Sequence, residues 1–224
     1  MFKLIPIIFI FFSQFALAQS GEAECGPLKS GYGPYDYRTS KGPILSTVED
    51  FHFTSKVEML IQADTGYIGA DIDYTLRAFP NHHRALMAAM RYGEKTKSEK
   101  PPHMRYSISC YFDRALRFRP DDAIPRMIFS MYLAKNGRTP EAVQQLDIAA
   151  EGAEGKENPF THFNLGLNYF DLKEYTKAEA QAHKAYDLGF PQEILKEKLK
   201  GVGKWTEPPV EPINASASAP APTN

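Results

Sequence analysis

Residues Asn158 to Pro191, NPFTHFNLGLNYFDLKEYTKAEAQAHKAYDLGFP, constrain the fold of this 224-residue chain more than any other stretch. Leu165, Gly166 and Tyr169 fall on one face of a first helix, and Ala178, Ala182 and Ala185 fall on one face of a second. Residues three and four apart are neighbours on a helix surface. Small side chains on the facing surfaces then let the two helices approach closely. The spacing predicts that Gly166 faces the second helix near Ala178. Gly189 suits a left-handed helix end, and Pro191 opens a further helix, PQEILKEKLK, whose Ile194 and Leu195 are expected to face inward.

The same intervals occur upstream. In PRMIFSMYLAKNGRTPEAVQQLDIAAE, Phe129, Ser130, Leu133, Gly137, Ala142, Leu146 and Ala149 repeat them, with Thr139-Pro140 as N-cap and first helical residue. Ala142 to Ala178 is 36 residues, close to the period of about 34 of one repeat class. Leu-Gly-x-x-Tyr, an alanine nine residues after the tyrosine and another seven further on resemble the tetratricopeptide (TPR) consensus. A more degenerate unit starts at Asn81, the expected N-cap of HHRALMAAMRYGEKTK. Its return helix runs through Met104, Ile108, Phe112, Ala115 and Leu116 to Pro120, before Asp121 or Asp122 caps the next helix. Through PYDYR, DIDYTLRAFPNHHRAL and GVGKW the chain also resembles a group of exported TPR proteins of proteobacteria. The resemblance implies an all-α fold, a right-handed TPR-like superhelix of helical hairpins. It also implies that partners bind along the first helix of each hairpin.

This reading divides the chain into a signal peptide (1–18), an irregular Tyr/Gly/Pro-rich arm (19–53), a degenerate helical pair (54–80), a TPR-like domain (81–205) and a disordered tail (206–224). Within the domain the repeats span about 81–120, 121–157 and 158–191, closed by a capping helix at 191–200 on which Trp205 folds back. A solenoid needs such a lid, because its last repeat otherwise exposes an apolar face. The tail is rich in Pro, Ala and Ser and lacks apolar anchors.

Lys3, the apolar run from Leu4 to Phe12 and Ala16-Leu17-Ala18 have the order of a secretory signal cleaved after Ala18. The run is shorter than the roughly 20 residues that a span needs, so no stable membrane span is expected after cleavage, and the expected location is periplasmic. Loss of Lys3 takes the net charge from −1 to −2. That leaves no basic excess for nucleic acid. Cys25 and Cys110 both remain, and an even count in an exported chain predicts a disulfide, the alternative being two free thiols. A lipoprotein cysteine is disfavoured by Glu22-Ala23-Glu24, and a zinc site by the lack of a CxxC or a close histidine.

Two features bear on partners. Tyr32, Tyr35 and Tyr37 are more aromatic surface than a free linker needs, so the arm packs either on its own helical body or on a partner. Met127, Met131, Phe160, Phe163, Leu167 and Phe170, with Ile124 and Ala134, are expected to line an apolar groove. Such a lining suits a protein or peptide partner in the cell envelope. It lacks the Lys/Asn/Arg set with which carboxylate-clamp TPR proteins hold a C-terminal carboxylate. The principal reading is thus a scaffold without cofactor or catalytic residues. The alternative is a metal-binding protein or metal-dependent enzyme using Asp71, Asp73, His82 and His83. Adjacent histidines diverge by about 100° on a helix, which argues against one ion shared by His82 and His83. Phosphate-loop, HExxH and nucleophile motifs are absent from the sequence.

Overall fold

The computed structural model describes residues 24–156 and 158–207. Ten helices lie wholly among them, with no strand: α1 Pro43–His52, α2 Ser55–Glu58, α3 Ile68–Ala78, α4 His83–Thr96, α5 Ile108–Phe118, α6 Ala123–Lys135, α7 Thr139–Ala153, α8 Pro159–Asp171, α9 Tyr175–Asp187 and α10 Ile194–Gly201. The chain separates into two units, Met1–Glu157 and Asn158–Asn224. The signal segment and residues 208–224 of the tail lie outside the described residues.

In the second unit α8 and α9 form a hairpin, and α10 packs on both. Leu165, Ala178, Ala182 and Ala185 are completely buried and Tyr169 nearly so. Gly166 allows the close approach. A methyl group there would run into Leu195 Cδ2 and come within 3.2 Å of the Ala178 carbonyl oxygen. Gly166→Leu is therefore expected to cost about 1–3 kcal/mol through overpacking, read as a lower midpoint in urea. An unchanged midpoint would contradict this packing. The lid presents Leu195 and Leu199 inward. Ile194, expected inward, is instead 55% exposed, because the helix begins at that residue and its apolar face is set by the pair four apart. Trp205 stacks on His183 of α9 (4.4 Å between ring centroids) and carries Lys196 of α10 over its face.

In the first unit α6 and α7 form a second hairpin. Its inner face is built by Ala142, Leu146, Ala149 and Ala153 from α7 against Met127, Ile128 and Leu133 from α6, all buried. Complete burial of a side chain such as Leu146 stabilises by about 1.5–3 kcal/mol. Pro140 is in the first turn of α7, but Thr139 is already helical and Arg138 takes the cap position without a side-chain hydrogen bond.

Ahead of this hairpin, α3 and α5 have the same length and start 40 positions apart, and α4 and α6 also start 40 positions apart. Ile68, Asp73, Leu76, Arg77 and Pro80 recur as Ile108, Asp113, Leu116, Arg117 and Pro120. Both copies carry an Asp–Arg ion pair one turn apart, Asp73–Arg77 at 2.8 Å and Asp113–Arg117 at 2.7 Å. The turns that follow also match. His82 N–H donates to the Phe79 carbonyl (3.0 Å) and Asp122 N–H to the Arg119 carbonyl (3.1 Å). His82 and Asp122 then cap α4 and α6 in the same extended conformation.

Two further elements differ from expectation. The span read as an irregular arm contains α1, which opens with Pro43 at its first position and buries only Val48. One buried residue in ten leaves no periodic signal. Asn81 does not cap α4: it is completely buried, and the His82 ring takes the cap by accepting from Ala85 N–H at 3.2 Å.

Candidate functional site

The two equivalent turns are bridged by Asn81. Its amide nitrogen donates to Asp122 Oδ2 (2.9 Å) in the second turn and to Asp36 Oδ1 (2.8 Å) in the arm. Its amide oxygen accepts from Tyr37 N–H at 3.0 Å. One buried side chain thus holds three segments that are 41 and 45 residues apart in sequence. The arm is fixed further by Tyr35 N–H, which donates to the Ala78 carbonyl at 2.8 Å.

Two guanidiniums face three carboxylates around this amide. Arg38 grips Asp36 through Nη2 (2.9 Å) and Nε (3.2 Å) and reaches Asp121 at 2.8 Å. Arg119 Nε lies 2.8 Å from Asp36 Oδ2, an ion pair without the alignment of a hydrogen bond. Asp122 accepts from His83 Nε2 at 2.8 Å and, as helix cap, from Ile124 N–H at 3.2 Å. The hydrogen bond from Arg38 holds the Asp36 carboxyl well below the usual carboxylate range, against its own burial and with help from Asn81. Hydrogen bonds to an ionised group are roughly twice as strong as neutral ones.

The arm tyrosines close over the site. Tyr37 stacks on His82 (4.0 Å) and meets His83 edge-on (5.2 Å). Tyr32 and Tyr35 pack on a small core of Val48, Ala78 and Phe79. Of the two docking surfaces considered for the arm, it uses its own helical body.

His82 is completely buried and accepts from Ala85 N–H at Nδ1, so its proton sits on Nε2, which donates to Glu49 Oε1 at 3.2 Å. Burial lowers the imidazole pKa, opposed by the hydrogen bond to Glu49. Glu49 and Glu58 are both held by Arg84, and both carboxyls are lowered, by His82 and Arg84 respectively. With both ring nitrogens engaged, His82 offers no lone pair for proton transfer. The arrangement is a latch that fastens the arm across two turns.

A second fastening lies upstream. Cys25 and Cys110 form a disulfide across 85 residues of sequence. Beside it the buried Arg114 donates through Nη1 to the carbonyls of Cys25 (3.1 Å), Gly26 (3.3 Å) and Pro27 (2.7 Å), with its guanidinium 4.6 Å from the centre of the Tyr106 ring. Three aligned carbonyls and a π face replace a carboxylate for this cation. Gly26 has φ +71°, and a Cβ there would lie 2.9 Å from Tyr106 Oη.

The residues of the metal reading are held in separate places. Asp71 accepts from the backbone of Asp64 (2.8 Å) and Thr65 (3.1 Å), from the Thr65 hydroxyl and from His52. Asp73 accepts from the Tyr111 hydroxyl, Arg77 and Arg105 N–H. His82 and His83 turn to Glu49 and Asp122. Among the described residues no three His, Cys, Asp or Glu side chains converge as a metal site needs.

The groove residues vary in exposure. Met127 is buried in the α6–α7 hairpin and Met131 is half-buried. In the second unit Phe163 is buried under Phe190, the rings stacked at 4.0 Å, whereas Phe160 is 64% exposed and touches Phe190 edge-on. Leu167 and Phe170 are half-buried, with Lys198 4.8 Å from the Phe170 ring centre. Sequence reasoning missed Asp36, Arg38, Asn81 as a bridge, and Arg114. The available signals were the 40-residue recurrence and the aspartate set between two arm tyrosines. Comparison of the chain with family models, with curated proteins and with solved structures finds no match in any of the three.

Proposed function

We propose that this protein is an exported TPR-like scaffold that holds a protein or peptide segment in the cell envelope, using apolar side chains on the first helices of its hairpins. The observation that carries this reading is the face of α8. Phe160, Leu167 and Phe170 follow one another along it at helical spacing, and Phe160 stays largely exposed although Phe190 lies beside it. A large aromatic left open on a rigid hairpin is the kind of anchor that interfaces use. Supporting it, the arm that could have filled an apolar groove is latched to α3 and its following turn. The Cys25–Cys110 disulfide fits an oxidising compartment, and among the described residues no helix is long and apolar enough to cross a membrane.

The test is a photo-crosslinking amino acid placed at Phe160 in living cells, with the exposed Gln144 of α7 as control. The scaffold reading expects a discrete adduct from position 160 that is absent from position 144. Equal labelling from both positions, or none from 160, would sink it. Phe163 is unsuitable for this purpose, since its burial under Phe190 makes any change there a test of folding.

A further inference from the structure

The connection between α2 and α3 carries an apolar tip whose construction serves neither the latch nor the hairpins. Its base is closed by Asp64, which accepts from the Thr54 hydroxyl at 2.8 Å, and the Asp64 and Thr65 amides are held by buried Asp71. At the tip Ile61 N–H donates to the Lys56 carbonyl (2.9 Å) and Leu60 N–H to the Val57 carbonyl (2.9 Å). The two bonds close α2 as a Schellman motif, with the buried Leu60 at its left-handed C′ position (φ +57°). That conformation turns its neighbours outward: Met59 is 58% exposed and Ile61 67%, the most exposed large hydrophobic side chain among the described residues.

Cations flank the tip. Lys95 Nζ donates to the Leu60 carbonyl at 2.9 Å and Arg91 to the Glu58 carbonyl at 3.3 Å, and Lys56 is exposed on α2. Glu58, next to the tip in sequence, is paired with Arg84, and Asp64 at the base carries a negative charge. A rigid turn that projects two apolar side chains between cations matches one kind of surface, an apolar interior beneath an anionic layer. A protein interface of ordinary stability needs about 800 Å² from each partner, more than one helical turn and its following bend provide.

We propose that Met59 and Ile61 insert into the headgroup region of an anionic phospholipid bilayer, with Lys56, Arg91 and Lys95 against the lipid phosphates. The test is flotation of the protein, as isolated from the cell, with vesicles of phosphatidylcholine alone or containing 30% phosphatidylglycerol. Wild type, Met59→Ser/Ile61→Ser and Lys56→Glu are run side by side, so any contribution of the apolar N-terminal residues is common to all. The expected result is binding to the anionic vesicles that weakens in 0.5 M NaCl. It should fall at least tenfold in the double variant and several-fold in Lys56→Glu, with melting temperatures unchanged. No binding, equal binding by all three proteins, or equal binding to both vesicle types overturns the proposal. A photo-crosslink from position 61 to a protein, with vesicles left unbound, overturns it in favour of a protein-docking tip.

Discussion

Asn81→Ala is expected to lower the stability of the first unit by about 3–5 kcal/mol, since it removes two hydrogen bonds to carboxylates worth about 1.5–3 kcal/mol each. The change removes the donor shared by the Asp36 and Asp122 carboxylates and the acceptor of Tyr37 N–H. Asp36 and Asp122 are both buried, so water cannot readily replace the lost amide, and an unsatisfied buried group costs its full desolvation penalty. Asp36 retains Arg38, which keeps the loss below that of a bare buried charge. Urea denaturation monitored at the helical band measures the difference. A loss under 1 kcal/mol would mean that the bridge is a surface feature.

Replacing both cysteines, as Cys25→Ala/Cys110→Ala, comes next in size. A bridge that closes 85 residues constrains the unfolded chain, and loss of a native disulfide from a small exported domain typically costs about 2–5 kcal/mol. The carbonyl cradle of Arg114 is built from backbone at and beside Cys25, so the variant keeps those acceptors and loses the covalent link. Equilibrium unfolding of the oxidised wild type against the variant reads the difference. Equal stabilities would mean that Arg114 and the latch alone hold the arm.

The two changes act on different links of the same chain of causes. The disulfide limits how far the arm can stray, and Asn81 decides where it settles. Tyr37 is then placed between His82 and His83, which keeps both imidazoles turned to their carboxylates.

The α8–α9 hairpin was legible because its information is local: small residues at helical spacing need nothing beyond neighbours on the same two helices. Its lid was legible for the same reason, apart from Ile194, whose direction depends on where the helix starts. The latch was not legible. Asp36, Asn81 and Asp122 meet only after the chain has folded, and polar residues that bond across some 40 positions carry no periodicity. The recurrence of α3–α4 in α5–α6 is carried in the sequence by five identical residues from α3 to Pro80 and from α5 to Pro120, but its two caps do one task with different chemistry, an imidazole at His82 and a carboxylate at Asp122. The arm tyrosines stand out in the sequence for their rings, but the aspartate between two of them carries the charge that fastens the segment. For the four residues read as metal ligands, the types were right for an ion and the positions were not: each is committed to a different partner set.

The Tyr-rich arm is a fastened part of the first unit. Native-state hydrogen exchange at the Tyr35 and Tyr37 amides tests this fastening most directly, because these two N–H groups donate to the Ala78 carbonyl and to Asn81 Oδ1. Protection at both is expected to approach that of the α4 core and to be lost at Tyr37 in Asn81→Ala. Exchange in the wild type as fast as in an unstructured peptide would contradict it.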